Sequence, residues 1–187
     1  MAESIGPKPV VLTYEDYLSL PNDRNRYEIH EGELVMTPAP GTAHQMISRN
    51  LSFILFTHSR THSLGTVLYA PVDVILSATS IAQPDIIYVS QGKKAIITGR
   101  AIEGAPDLVV EVLSPATLRY DRVAKLQLYA RHGVTNYWIV SPEERTLEEY
   151  VLQGESYALT QKLSEAAEFR PALFPGFSVL LSQVWPE

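Results

Sequence analysis

A mixed α/β domain is the fold class this sequence predicts, and three observations predict it. Apolar residues recur at helical spacing over 42–60 and again over 119–132. Segments 66–76, 84–89 and 106–113 read as strands, and 135–140 as a further strand of buried type. The patterns interleave as helix, strands, helix, strand run, helix, strand, an order that builds a mixed sheet covered by helices.

The elements follow in chain order. Residues 1–10 read as a loose, Pro-containing arm. Thr13 is placed to cap a short helix at 14–19, with Glu15 and Asp16 near its positive end and Pro21 beyond it. Residues 27–36 alternate around Glu31-Gly32-Glu33 and predict a hairpin or bent strand, and Pro38, Pro40 and Gly41 make the next segment a loop. Met46, Ile47, Leu51, Ile54 and Leu55 then keep helical spacing until Gly65 stops the region. Between the strands at 84–89 and 106–113 runs a loop carrying Lys93, Lys94 and Arg100. Val123, Leu126 and Ala130 form the apolar stripe expected of the 119–132 helix, with Gly133 as its stop. Glu144-Arg145 turns 135–140 into a hairpin with 146–151, and 156–162 adds a strand. The remainder, with Phe174, Pro175, Phe177 and Trp185, is expected to pack along an edge, so that 152–187 forms a C-terminal strand and an edge-packing segment.

The chain of 187 residues is long enough for one domain with a sizeable core, and we read 1–187 as a single domain. A hydrophobic share of 45% excludes a disordered chain. No run of about 18 apolar residues occurs, so no membrane span is expected. The N-terminus lacks the charged start and apolar centre of a signal peptide. Cys is absent, which excludes disulfides and thiolate metal sites and fits a cytoplasmic protein. A net charge of -6 argues against a protein that coats nucleic acid non-specifically, though basic residues can still cluster locally.

Two carboxylates interrupt the apolar strand runs. Asp85 opens 84–89 and Glu111 lies within 106–113. Desolvating an unpaired charge there costs several kcal/mol or more, so each acid needs a partner or a task. Strand alternation puts Leu108, Val110 and Val112 on one face and Asp107, Val109, Glu111 and Leu113 on the other. In 66–76, Asp73 lies opposite Val72, Val74 and Leu76, and pairing with 84–89 would bring Asp73 and Asp85 to one end of the sheet. Two acids on neighbouring strands, with Lys125 on the helix that follows, form a constellation able to hold a divalent cation and activate water. Plainer roles stay open. Asp85 and Asp107 could turn the chain after Pro. Glu111 could pair structurally with Lys125 or Arg122, and Lys125 with Asp121 four residues earlier. Asp73 could be a satisfied strand polar group.

The residues resemble the PD-(D/E)xK nuclease superfamily. Pro84-Asp85 matches its first motif, and Glu111-Val112-Leu113 its acid-x-Lys motif except that Leu113 replaces the Lys. Some branches supply that Lys from the next helix, where Lys125 lies. The whole pattern is similar to the Uma-type restriction-endonuclease-like family over roughly 13–151. It is carried by Tyr27-Glu28-Ile29, Glu31-Gly32-Glu33-Leu34, His44-Gln45, Ala70-Pro71-Val72-Asp73-Val74 and Gln83-Pro84-Asp85. The run from Ala105 to Pro115, then Asp121, Lys125, Tyr129, Gly133-Val134 and Tyr137-Trp138-Ile139-Val140, continue it.

The resemblance implies a restriction-endonuclease-like fold, a central mixed sheet flanked by helices. It implies Mg²⁺ or Mn²⁺ held by Asp85 and Glu111, with the Val112 carbonyl as a further ligand, hard oxygens suiting such ions. A third acid from the early segment completes the expected set, with Glu33 chosen and Glu31 and Glu28 as rivals. Lys125 would orient or activate the attacking water. Asp85, Glu111, Lys125 and Glu33 are thus the expected catalytic residues, backed by His44, Asp73, Gln83 and Glu31. The implied activity is phosphodiester hydrolysis, of DNA first. The alternative is a catalytically silent nucleic-acid-binding or scaffold protein with the same fold. The fold class also makes a homodimer an expectation. His44 starts a helix whose N-terminus favours anions, or is a plain surface His. His58 and His62 have metal-compatible spacing but read as a solvated pair. Lys93, Lys94, Arg100, Arg119 and Arg122 could form a rim that tracks phosphates.

Overall fold

The computed structural model describes residues 10–21, 23 and 25–186. All of the arm expected at 1–10 except Val10 therefore lies outside the described residues. A capping box between Thr13 and Asp16 starts α1 (Tyr14–Tyr17), shorter than the expected 14–19. Strands β1 (Arg26–His30) and β2 (Glu33–Thr37) form the expected hairpin, turned by Glu31 and Gly32 at φ 52° and 87°. Two consecutive positive φ values define the tight turn whose twist matches its strands, and Gly adopts one without strain. Helix α2 (Thr42–Thr61) follows.

The single strand expected at 66–76 is two strands in two sheets, β3 (Gly65–Tyr69) and β4 (Val74–Ser77). They are separated by Ala70-Pro71, whose peptide bond is cis. Proline cannot donate to a ladder, so the run breaks there. Then come β5 (Ser80–Ala82), β6 (Ile86–Ser90), β7 (Ile102–Glu103) and β8 (Leu108–Val112). A continuous helix runs 118–131, as α3 (Leu118–Tyr120), a π-helical turn (Asp121–Lys125) and α4 (Leu126–Arg131). It ends at Gly133, φ 77°, where the Val134 amide reaches back to the Tyr129 carbonyl at 3.0 Å. Strands β9 (Asn136–Ser141), β10 (Thr146–Gln153), β11 (Ser156–Ser164), β12 (Glu168–Phe169) and β13 (Val179–Leu180) complete the chain.

Six strands form the main sheet in the order β11-β10-β9-β8-β6-β3, mixed because β8 and β9 run parallel. A second, five-stranded sheet has the order β2-β1-β5-β4-β7. Ile47, Leu51 and Leu55 of α2 pack on Leu108, Val110 and Val112 of β8, on one face of the main sheet. On the other face Val109 and Leu113 meet Leu128 and Tyr129 of α4. The expected alternation along β8 therefore holds, and it turns Glu111 toward the α4 side. The C-terminal aromatics do not lie along an edge. Phe169, Phe174, Phe177 and Trp185 are buried with α2 on the face of the main sheet, because their apolar area is hidden only there.

Candidate metal and hydrolytic centre

Where the two sheets meet the 118–131 helix, acids converge. Asp85 sits just before β6 and is 4% exposed. Its Oδ2 accepts from His44 Nε2 at 3.0 Å and from the Val112 amide at 2.9 Å. Arg26 Nη1 stands 3.6 Å from Oδ1. Burial alone would raise the Asp85 pKa, but the His44 hydrogen bond, the Val112 amide and Arg26 hold it below its ordinary value.

Glu111 lies on β8, and its Oε1 accepts from Lys125 Nζ at 2.9 Å and from the Tyr129 hydroxyl at 2.7 Å. Lys125 also donates to Glu28 Oε1 at 3.1 Å and stands 3.7 Å from Asp121. Glu28 comes from β1, where alternation puts Arg26, Glu28 and His30 on one face. It also accepts from the Gln83 amide at 2.8 Å and is held by His30 at 2.9 Å. His30 is hydrogen-bonded in turn to the Tyr120 hydroxyl.

One ammonium thus stands among three carboxyl groups, and the burden falls unequally. Burial works against Glu28, yet Lys125 and His30 overcome it and keep Glu28 ionised, well below the usual range. Burial raises Glu111, Lys125 only partly opposes it, and Asp121, Asp85 and Glu28 add to the rise. Asp121 is raised in the same way. Burial would lower Lys125, but Glu111, Glu28 and Asp121 hold its pKa high and keep it charged. The site holds four carboxyl groups, of Glu28, Asp85, Glu111 and Asp121, against the two cations Arg26 and Lys125, in a place where an unpaired charge is costly.

These groups line a cavity of about 30 Å³, with the Val112 and Ser114 backbone region and Thr37, Pro38 and Pro40. His44 Nδ1, Asp121 Oδ1 and Arg26 Nε belong to its lining residues and are buried without a hydrogen-bond partner. A polar space of that size is large enough for a water molecule. Among the described residues no three His, Asp or Glu side chains converge as a ready metal cage. Mg²⁺ does not require one, since it takes one or two carboxylates and keeps several waters. The oxygen donors of Asp85 and Glu111, the Val112 carbonyl and the excess of carboxyl groups over cations fit a hard divalent cation.

The expected residues divide clearly. Asp85, Glu111, Lys125 and His44 come together. Glu33 does not: it lies opposite His30 on the face that Glu28 shares, but it is exposed at the hairpin end of the edge strand β2, and β1, inside the sheet between β2 and β5, delivers Glu28 instead. Glu31 is held at the surface by Arg131 and His132 at 3.1 and 3.2 Å. Asp73 does not share a strand end with Asp85. It accepts from Gln83 Nε2 and the Tyr17 hydroxyl, each at 2.8 Å, one step behind the Gln83 backbone that meets Glu28. Asp107 ties the end of β6 to the start of β8, taking the Ser90 amide at 2.7 Å. Val123 is exposed, and the inward stripe of the 118–131 helix is Asp121, Lys125, Leu128 and Tyr129. His58 and His62 are not a fully solvated pair: their rings are tilted against each other, centres 4.3 Å apart, and His58 packs edge-on against Phe177 at 4.9 Å. Lys93 and Arg122 of the expected rim are tied to Asp107 and Glu148. Arg26, His30 and Tyr129 were not foreseen as partners of the acids. The polar alternation of Arg26, Glu28 and His30 was the available signal for two of them.

Comparison with known proteins gives the following. The model of the Uma2 family, described as "Putative restriction endonuclease", matches residues 14–182. The fold is similar to a crystal structure from Anabaena variabilis ATCC 29413 described as "a putative nuclease belonging to DUF820". That likeness has a TM-score of 0.76 at 18% identity and covers 92% of this chain and 97% of that one. No curated protein matches the chain. Among the described residues no helix is long and apolar enough to cross a membrane.

Proposed function

The chain belongs to the Uma2 family of restriction-endonuclease-like proteins, and from that premise we propose that it is a Mg²⁺- or Mn²⁺-dependent endonuclease that hydrolyses phosphodiester bonds of DNA. One observation carries the reading. Asp85, Glu111 and Lys125 come from a strand start, a neighbouring strand and the following helix, and they line one small polar cavity in which carboxyl groups outnumber cations. Asp85, Glu111 and the Val112 carbonyl would hold the cation, which supplies Lewis acidity to the phosphate and to a bound water.

The chain's own residues do the rest. Lys125 keeps its proton and can orient the attacking water or meet charge growing on the phosphate. Glu28 anchors that ammonium from the far side, in the place expected of Glu33. His44 fixes the Asp85 carboxylate so that it stays ionised and pointed. Tyr129 orients the Glu111 carboxyl by donating its hydroxyl to Oε1. The absence of Cys supports a cytoplasmic location. A double-strand cut requires two such sites, which a symmetric dimer would provide.

A second reading is favoured by Leu113, which replaces the motif Lys, and by the full engagement of Asp85 Oδ2 with protein donors. Here the buried ions only specify the fold, and the chain binds nucleic acid or acts as a scaffold without cutting. Incubation of supercoiled plasmid with Mg²⁺ or Mn²⁺ separates the two. We expect nicking by wild type and by Glu33→Gln, and loss by at least about a hundredfold in Asp85→Asn, Glu111→Gln and Glu28→Gln. Equal nicking by wild type and Asp85→Asn sinks the endonuclease reading.

A further inference from the structure

Residues 34–72 contain no Asp or Glu, although the chain carries 21 such residues in 187. This stretch supplies α2 and β3. Between them lies a groove of about 700 Å³, and Asp85 is among its lining residues, so groove and acid cavity share a wall. Met46, Arg49, Phe53, Phe56 and Arg60 follow one another at spacings of three and four, one stripe of α2. That stripe faces solvent: Phe53 is 68% exposed, Phe56 45% and Met46 43%. Tyr69, 67% exposed, lies across the groove on β3, which is the edge strand of the main sheet. Arg60 stands over the Phe56 ring at 5.8 Å. Neither Arg49 nor Arg60 meets a carboxylate among the described residues, and Arg49 bonds only to the neighbouring Asn50.

Exposed aromatics in such a cluster mark a binding surface. A second copy is a poor occupant, because two-fold pairing sets this face against itself. Its two arginines would find no acid on the facing stripe. A flat, apolar ligand that carries phosphates matches both halves of the surface. Single strands expose base faces that stack on aromatics, while a duplex hides them within its own stack.

We propose that the α2–β3 groove binds single-stranded DNA, with bases on Phe53, Phe56 and Tyr69 and phosphates at Arg49 and Arg60, and leads that strand to the Asp85 cavity. The proposal rests on the endonuclease reading for its substrate. The test measures binding alone: fluorescence anisotropy of labelled oligothymidylate and of a duplex of equal length, with the full chain in EDTA. We expect oligothymidylate to bind at least about tenfold more tightly than the duplex, and Phe53→Ala and Phe56→Ala each to weaken it at least about fivefold. Both side chains are exposed, so the unfolding temperature should not move. Equal affinity for strand and duplex overturns the proposal. So does oligothymidylate binding that ignores both substitutions, or a wild-type dimer that Phe53→Ala dissociates while no oligothymidylate binds. Phe53-dependent binding by a chain that cuts nothing upholds the groove and sinks the endonuclease reading. Undiminished cutting of single-stranded DNA by a chain carrying both Phe53→Ala and Phe56→Ala does the reverse.

Discussion

Glu111 shares Lys125 with Glu28 and Asp121, so one ammonium serves three carboxyl groups in a buried place. Burial raises the Glu111 pKa above 4.5, and Lys125 offsets only part of the rise. The folded chain therefore keeps a proton that the unfolded chain has already lost. The stability due to that proton is complete below the ordinary value and fades as pH rises through the raised folded one. A divalent cation needs the ionised carboxylate and must displace the proton. Titration calorimetry with Mn²⁺ should thus show affinity strengthening as pH rises above the ordinary carboxylate range, with protons released to the buffer. Affinity that is flat with pH and releases no proton would remove Glu111 from the ligand set.

At the scale of elements, what could be read from sequence follows from covalent geometry. The alternation along β8 was legible because successive strand residues must point to opposite faces. The inward stripe of the 118–131 helix was not. Val123 is the more apolar choice, yet Asp121 and Lys125 take the buried side, because Glu28 and Glu111 across the interface require a cation. That demand comes from residues 97 and 14 positions away along the chain and leaves no local period. Strands β5 and β7, three and two residues long, are too short to show any period. The early acid was hard to choose for a related reason: Glu28, Glu31 and Glu33 crowd one hairpin, Glu28 and Glu33 share a face, and only the elements packed over that face decide which of them is buried. The C-terminal segment supplies the element-scale prediction. Phe174 is buried among Tyr88 at 4.7 Å, Trp138 at 6.1 Å and Phe177 at 5.9 Å between ring centres. Phe174→Ala should lower the unfolding free energy by about 3–5 kcal/mol in urea titration. A loss below about 1 kcal/mol would mean that the segment is an edge cover after all.

Across the whole molecule, charge is segregated. The chain is acidic overall, but the surface built from 34–72 is not, and its groove adjoins the buried acids through Asp85. A protein with this layout can draw a phosphate-bearing strand toward carboxylates that would otherwise repel it, provided a cation neutralises them. The account therefore stands or falls on cation binding at Asp85 and Glu111. A ligand that binds only the folded state raises stability with the logarithm of its excess over its dissociation constant. The most direct measurement is thermal unfolding of wild type and Asp85→Asn side by side across a Mg²⁺ and Mn²⁺ titration. A midpoint that climbs with metal in wild type and stays level in Asp85→Asn is the result expected here. Midpoints that climb equally in both chains, or in neither, would contradict a metal centre at Asp85.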